Sequence, residues 1–252
     1  LIYYPRYKGI NHFLYKKWWN SFFREHKEYC IVHGHIGSTA AIYLSIANKY
    51  GCYTIAHSHA TDSHIQNIKE KIYKFYSYPT RWVANYFMGC SMAALTDRYG
   101  KEIAKNPSIS KVFFNAIDTE KFVFDENTRK SVRDELGIDN EKIVLGTVGR
   151  LTSAKNPYMI IDIVLKLKDN GVKFVFLWFG RGELEDVIIR KIKNNHLEKY
   201  VMLEGVRSDI NRVLQAMDIF IFPSISEGLG ITCIEAQMSD LECFCSETIP
   251  AE

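Results

Sequence analysis

Short apolar segments alternate with longer amphipathic segments along almost all of the 252 residues. The short segments have the length and the content of Val, Ile and Phe that buried strands have, and the longer ones repeat apolar residues at helical spacing. Strands are predicted at residues 29–33, 53–56, 88–91, 111–115, 143–148, 173–179, 201–203, 219–222 and 242–245. This alternation predicts an α/β fold with parallel sheets that helices cover on both faces.

The charged segment 118–142 interrupts the alternation. We place a domain boundary there, which gives two Rossmann-like domains, residues 1–118 and residues 119–252. The chain does not begin with Met and ends directly after a predicted strand. We therefore expect the N-terminal domain to be incomplete and the C-terminal domain to be truncated.

The composition excludes several classes of protein. A net charge of +3 gives no basic excess of the kind that nucleic-acid binding needs. No apolar stretch is long enough for a membrane helix, and the first residues do not resemble a secretory signal. We expect a cytoplasmic protein. The aromatic and basic segment 11–24 has two interpretations, a helix packed on its domain or a helix that contacts a membrane surface peripherally.

The six cysteines show no metal-ligand spacing and are expected to be reduced thiols. Cys243 and Cys245 lie in a predicted strand, where we expect the two thiols to face opposite sides of the sheet. No zinc site is predicted near any cysteine.

Ligands of open α/β sheets bind outside the carboxyl ends of the strands, so the residues after each strand are the candidates for chemistry. Gly149, Arg150, Lys155, Asn156 and Pro157 follow one strand and begin a helix. The glycine permits a sharp turn, Asn156 can cap the helix, and the two cations lie where the helix dipole favours an anion. The cluster is either a diphosphate site or a solvated basic loop.

A second cluster follows the strand at 219–222. Gly228 and Gly230 precede a helix and allow a ligand to approach bare backbone amides. Glu227 lies before the helix and Glu235 within it, about two turns further on. Glu235 is either an ordinary exposed helix residue or, given its apolar neighbours, a half-buried carboxylate that needs a partner.

These clusters resemble motifs of glycosyltransferase family 4, of the type found in bacterial capsule and exopolysaccharide synthesis. Glu227 and Glu235 match the paired-glutamate motif, and Gly149 to Asn156 match the phosphate-binding loop. Three further segments are similar to family motifs: Asn115 to Phe122, Phe179 to Gly182, and Ile55 to Thr61. The resemblance implies the GT-B fold, in which the C-terminal domain binds the nucleotide-sugar and the N-terminal domain binds the acceptor.

The resemblance also implies roles by position. Catalytic roles fall to Arg150 and Lys155, which neutralise the diphosphate, to Glu227, which contacts sugar hydroxyls, and to His57, which reaches the sugar from the N-terminal domain. Substrate-binding roles fall to Glu235 at the ribose, to the backbone of Gly228, Leu229 and Gly230, and to Gly149, Gly180 and His59.

The function that follows is retaining transfer of a hexose from a nucleotide-diphosphate sugar, such as a UDP-sugar, to a saccharide or lipid-linked acceptor. No cofactor is expected. His33 and His35 lie near His57 and His59 in the predicted sheet, but the chain lacks D-x-D, so no metal site is predicted. The alternatives are a non-catalytic sugar-nucleotide-binding module or inactive fragment, and a nicotinamide oxidoreductase. The oxidoreductase needs G-x-G-x-x-G, which Gly180-Arg-Gly182 does not complete.

Overall fold

The computed structural model of the protein describes residues 3–61 and 68–250. Within these residues it has nine strands and ten α-helices, with short 3₁₀ turns between some of them. The chain divides into two compact units, and the boundary lies between Asn115 and Ala116. No helix in the described residues has both the length and the apolar character needed to span a bilayer.

The first unit contains a parallel sheet of four strands in the order β1-β2-β3-β4, counted over the described residues. Its elements are α1 (His12–Glu25), β1 (Ile31–Gly34), α2 (Ala40–Lys49), β2 (Tyr53–Ser58), α3 (Ile68–Ser77), β3 (Tyr86–Gly89), α4 (Met92–Tyr99), α5 (Lys101–Ala104) and β4 (Ser110–Val112).

The aromatic helix α1 packs against α2 through one face. Tyr15 and Phe23 are buried in a cluster with Ile42 and Ile46 of α2. Phe13 and Leu14 remain exposed. Packing on the domain therefore accounts for one face of the predicted aromatic helix, and contact of the other face with a membrane stays a prediction.

The second unit contains a parallel sheet of five strands in the order β7-β6-β5-β8-β9, again over the described residues. Its elements are α6 (Glu126–Glu135), β5 (Ile143–Val148), α7 (Pro157–Asp169), β6 (Phe174–Phe179), α8 (Glu185–Asn194), β7 (Val201–Gly205), α9 (Ile210–Gln215), β8 (Ile219–Phe222), α10 (Ile231–Met238) and β9 (Glu242–Cys245).

Strand β6 shows why this sheet is buried on both faces. All six of its residues are buried, and alternate side chains enter two different hydrophobic clusters. Val175, Leu177 and Phe179 belong to one cluster, whereas Phe174, Phe176 and Trp178 belong to the other. This alternation follows from the pleat of a strand and produces the continuous apolar run that the sequence shows.

The charged segment at the unit boundary contains a helix that the sequence analysis misses. Helix α6 begins after Asp125, whose side chain accepts a hydrogen bond from the backbone N–H of Thr128. Of its ten residues only Val132 and Arg133 are buried. The apolar periodicity that predicts the other helices is therefore absent, and only the capping residue signals this one.

Two other predicted helices have different bounds. The predicted helical region 63–87 ends as α-helix at Ser77, continues as a 3₁₀ turn at Tyr78–Trp82, and gives way to β3. Its start at residues 63–67 lies outside the described residues. The predicted helix 93–104 is split at Gly100, whose φ of 92° lies outside helical backbone.

The expected orientation of the paired cysteines in β9 is wrong. Side chains two residues apart on a strand share a face, and both thiols point toward Cys233. The sulfurs of Cys245 and Cys233 are 3.2 Å apart, and the Cys243 thiol lies close to the same residue. All six cysteines are free thiols.

Helix α6 is held to the sheet by an ion-pair network centred on Asp218. Arg129 and Arg133 of α6 both donate to its carboxylate, and the backbone N–H of Val144 in β5 donates to it at 2.7 Å. Arg133 is 3% exposed and also donates to the carbonyl of Ala216. Burial raises the pKa of Asp218, but these hydrogen bonds and positive charges outweigh it, so that the pKa lies below its usual value.

We predict that Asp218→Asn lowers the free energy of unfolding at pH 7 by about 2–4 kcal/mol, because it leaves the buried Arg133 charge without its partner. Denaturant titration measures the change. The exposed residue Asp134 provides the control, and Asp134→Asn should change stability by less than about 0.5 kcal/mol.

The difference between wild type and Asp218→Asn should shrink as the pH falls through the pKa of Asp218. A carboxyl whose pKa is lowered in the folded state stabilises the protein above that pKa and loses this contribution once it is protonated. Equal stability of the two Asn variants at pH 7 would show that the network does not hold α6.

Candidate donor-binding site

The strand order of the second unit has a switch point between β5 and β8. From β5 the chain adds β6 and β7 on one side and then returns to add β8 and β9 on the other. Ligands of open parallel sheets bind in the crevice that forms at the carboxyl ends of the strands at such a point. Both sequence clusters lie there, because the Gly149 loop follows β5 and the Pro223 segment follows β8.

One small pocket lies at this switch point, and it is lined by residues from both segments. Gly149, Arg150 and Lys155 come from the loop after β5, and Pro223 and Ser224 come from the segment after β8. The remaining lining residues are Thr147, Val148, Pro157, Ile160, Trp178 and Phe222. The structure therefore brings together the two predicted phosphate-binding cations.

The two cations differ in their surroundings. Arg150 is exposed, and its guanidinium has no ion pair within the part of the chain that the structure describes. The ammonium of Lys155 pairs with the carboxylate of Glu227 and lies 4.9 Å from the centre of the Phe222 ring. The side chains of Lys155 and Glu227 are 25% and 13% exposed. This pair links the loop after β5 to the segment after β8.

The Gly180-Arg-Gly182 turn is packed against the Gly149 loop. A Cβ on Gly180 would overlap the carbonyl oxygen of Gly149, and one on Gly182 would overlap that of Leu151. Backbone hydrogen bonds join the same segments, from Gly149 N–H to the Phe179 carbonyl at 2.9 Å and from Leu151 N–H to the Arg181 carbonyl at 3.1 Å. The turn therefore fixes the path of the loop, and substrate contact by Gly180 stays a prediction.

Asn156 takes the capping position of α7 in an unexpected way. It has left-handed backbone, with φ 50°, and its side chain makes no capping hydrogen bond. Pro157 fills the first turn of the helix as predicted. The first turn of α7 therefore lacks the side-chain cap that the sequence analysis expects.

The segment Gly228 to Gly230 leads into α10. Gly230 has φ 78°, a backbone conformation that favours glycine, and a Cβ there would lie 3.1 Å from the Phe222 ring. Leu229 is buried beside it. The start of α10 thus lies at the switch point. Because two of its three preceding residues are glycines, few side chains cover its backbone amides.

Glu235 lies in α10 and does not line the pocket. Burial raises the pKa of its carboxyl, and the side chain has no hydrogen bond or ion pair among the described residues. Burial of a carboxylate without a hydrogen-bond partner costs free energy of folding. A ligand that donates hydrogen bonds to Glu235 would recover part of this cost.

His57 and His59 lie in the first unit, at the carboxyl end of β2. His57 is 3% exposed, and its Nδ1 lies 3.2 Å from Nε2 of His33. Burial, and then the neighbouring imidazoles, lowers the pKa of His57 to about 4, which makes it neutral at pH 7. His59 is exposed and pairs with His35.

Ser224 is a site residue that the sequence analysis misses. Its hydroxyl is buried, lines the pocket and has no hydrogen-bond partner within the described residues. The signal in the sequence is a hydroxyl residue directly after the strand end, in Phe222-Pro-Ser224. Such a hydroxyl can donate to a phosphate oxygen.

Residues 128–251 match the family model described as Glycosyl transferases group 1. This part of the chain, which makes up most of the second unit, is similar to the domain that this model describes. The match covers both clusters of the switch point, from the Gly149 loop to Glu235. It also includes helix α6 from its third residue onward.

Curated relatives carry glycosyltransferase names. The chain is 28% identical, over 87% of its length, to the UDP-Gal:alpha-D-GlcNAc-diphosphoundecaprenol alpha-1,3-galactosyltransferase of Escherichia coli, and covers 58% of it. It is 30% identical, over 58% of its length, to the N-acetylgalactosamine-N,N'-diacetylbacillosaminyl-diphospho-undecaprenol 4-alpha-N-acetylgalactosaminyltransferase of Campylobacter jejuni, and covers 37% of it. The chain thus spans only part of the length of these relatives.

Solved structures share the fold. Anabaena Alr3699/HepE in complex with UDP-glucose superposes with a TM-score of 0.79 over 92% of this chain and 63% of that one, at 18% identity. WaaG, a glycosyltransferase involved in lipopolysaccharide biosynthesis, gives a TM-score of 0.76 over 99% of this chain and 68% of that one, at 16% identity. The α/β architecture with two parallel sheets is that of GT-B glycosyltransferases, as the sequence predicts.

We predict that Glu235→Gln increases the stability of the ligand-free protein at pH 7. A carboxyl whose pKa is raised in the folded state destabilises that state as the pH rises through this pKa, and the amide carries no charge to bury. Thermal unfolding of both proteins at pH 4 and pH 7 measures the effect, which should be smaller at pH 4. A loss of stability at pH 7 would mean that Glu235 has a partner that stabilises its charge.

Proposed function

We propose that the chain acts as a retaining glycosyltransferase that moves a hexose from a UDP-sugar to a saccharide or lipid-linked acceptor. One observation carries the proposal: two cations and a glycine-lined helix start lie at the switch point of the parallel sheet, in a unit that matches the group 1 model. The second unit would bind the donor, and the first unit would bind the acceptor.

The donor diphosphate would bind at the pocket between the two segments. Arg150 offers an exposed guanidinium that can bind phosphate oxygens in a bidentate manner. The buried hydroxyl of Ser224 and the backbone amides of Leu229 and Gly230 at the start of α10 would supply neutral donors. Together they provide positive charge and N–H groups for the oxygens of a pyrophosphate.

Donor binding would rearrange the Lys155–Glu227 pair. Without donor the Lys155 ammonium and the Glu227 carboxylate, both poorly exposed, neutralise each other. When a diphosphate binds, Lys155 can turn to the phosphate, and the Glu227 carboxylate can accept hydrogen bonds from sugar hydroxyls. The two residues of one ion pair would thereby bind the diphosphate and the sugar on either side of the bond that breaks.

The remaining contacts would fix the two ends of the donor. Glu235, with no partner among the described residues, would accept the ribose hydroxyls. His57 would contact the donor sugar as a neutral imidazole, and His59 and Gly180 would take the supporting positions that the family resemblance assigns to them.

Departure of the nucleoside diphosphate develops negative charge on the β-phosphate and positive charge at the anomeric carbon. Cations and amides that are already in place stabilise this charge more in the transition state than in the ground state. Arg150 and Lys155 would thus supply the charge that a divalent ion supplies elsewhere. The acceptor would attack the face from which the diphosphate leaves, which retains the configuration of the anomeric carbon.

The names of the relatives indicate a class of acceptor. The Escherichia coli and Campylobacter jejuni proteins are both named for diphosphoundecaprenol-linked substrates. The amylovoran glycosyltransferase AmsK of Erwinia amylovora is named for polysaccharide biosynthesis. By analogy we propose a lipid-linked saccharide acceptor and a role in the synthesis of a cell-surface polysaccharide.

We predict that Arg150→Ala weakens UDP binding by the chain and lowers kcat/KM of sugar transfer roughly 30- to 1,000-fold, which corresponds to about 2–4 kcal/mol of transition-state stabilisation. Calorimetry with UDP measures binding. Release of UDP from a panel of UDP-sugars, by this chain or by a longer protein that contains it, measures turnover.

Arg190→Ala is the matched control, because Arg190 is exposed on α8 of the same unit and does not line the pocket. It should leave both measurements unchanged. Equal effects of the two substitutions would remove Arg150 from the site. UDP binding without turnover of any donor would favour the alternative of a non-catalytic binding module.

A further inference from the structure

Two His-x-His segments meet at the carboxyl edge of the first sheet. His33 lies in β1 and His35 follows that strand, whereas His57 lies in β2 and His59 follows that strand. Strands β1 and β2 are parallel neighbours. Because side chains two residues apart on a strand share a face, the two segments bring four imidazoles to one place.

The ring nitrogens are close enough to share a metal ion. Nε2 of His33 lies 3.2 Å from Nδ1 of His57. One ring nitrogen from each of His33, His35 and His57 can be chosen so that all three nitrogens lie within 4.8 Å of one another. Two nitrogens bound to one tetrahedral zinc ion, at Zn–N distances of 2.0–2.1 Å, are separated by about 3.3 Å. The His33–His57 distance already corresponds to one edge of that tetrahedron.

The fourth imidazole holds one of the others in place. Nδ1 of His35 lies 2.7 Å from Nε2 of His59. Because Nδ1 of His35 is engaged with His59, the nitrogen of His35 that remains for a metal is Nε2. Metal-binding histidines characteristically donate their second N–H to a neighbouring acceptor, which fixes the tautomer and the orientation of the ring.

The ligand atom of each histidine would be a ring nitrogen with a lone pair. A neutral imidazole has one N–H and one lone pair. Each of the three imidazoles can therefore offer one nitrogen to a metal and keep its proton on the other.

We propose that His33, His35 and His57 bind one divalent transition-metal ion of the zinc class, and that His59 is the hydrogen-bonded neighbour that orients His35. Three imidazoles leave a fourth position for water or another ligand. A metal on Nδ1 of His57 leaves the ring proton on Nε2. This proposal does not rest on the glycosyl transfer proposed above, although His57 and His59 would take part in both.

Such a site selects among metals by its ligand type. Imidazole nitrogens suit Zn²⁺, Co²⁺, Ni²⁺ and Cu²⁺, whereas Mg²⁺, Ca²⁺ and Mn²⁺ prefer oxygen ligands. The absence of D-x-D, on which the sequence-based expectation of no metal depends, concerns an oxygen-ligand manganese site. It does not bear on a site made of imidazoles.

The test is titration of the chain with Zn²⁺ alone, in competition with a chromophoric chelator, at pH 7.5. We expect one tight site per chain and no competition from millimolar Mg²⁺. His33→Gln and His35→Gln should each weaken Zn²⁺ binding about 100-fold or more, and His59→Gln about 10-fold, since removal of an outer-shell partner typically costs 10- to 100-fold.

His26→Gln is the matched control, because His26 lies in the same unit beside Glu28 and outside the cluster. It should leave Zn²⁺ affinity unchanged. Binding that falls equally in His26→Gln and His33→Gln, or a complete lack of tight binding, would overturn the proposal and leave only adventitious surface binding.

A measurement on the wild-type protein covers the case in which a variant does not fold. X-ray absorption of the Zn²⁺-loaded chain should show imidazole nitrogens at about 2.0–2.1 Å as the main ligands. A shell made of sulfur atoms would place the metal at the cysteines of the second unit. A shell of oxygen atoms alone would place it on surface carboxylates, and either result would contradict the assignment.

Discussion

The pairing of Lys155 with Glu227 is the interaction on which the candidate site depends. Both side chains are poorly exposed, and their charges neutralise each other in the absence of ligand. Lys155 belongs to the loop after β5, and Glu227 belongs to the segment after β8. The pair therefore links the two segments on either side of the crevice at the switch point. It also places a cation that can bind phosphate next to a carboxylate that can accept hydrogen bonds from hydroxyls.

Close backbone packing gives the same region its shape. The Gly149 loop can take its path only because Gly180 and Gly182 have no side chains to overlap its carbonyl oxygens. Gly230 in turn allows α10 to begin beside the Phe222 ring. These glycines are needed because a side chain at their positions would overlap neighbouring atoms. Their close packing places backbone amides at the edge of the sheet.

The sequence predicts all nine strands of the described residues because buried parallel strands are continuous apolar runs. It also predicts the positions of Gly149, Arg150 and Lys155, since strand ends at a switch point must meet. It misses α6, whose stability comes from Arg129 and Arg133 reaching Asp218 about 85 residues away, a long-range contact without local periodicity. The partner of Lys155, the isolation of Glu235 and the distances among the imidazoles likewise require three-dimensional packing.

A crystal structure of the protein with UDP tests the central claim most directly. We expect the diphosphate to lie at the carboxyl ends of β5 and β8, where Arg150 and the start of α10 bind its oxygens. We also expect Lys155 to be turned away from Glu227 and the ribose to be hydrogen-bonded to Glu235. The proposed donor site would be wrong if the diphosphate bound elsewhere, the Lys155–Glu227 pair stayed intact and Arg150 pointed into solvent.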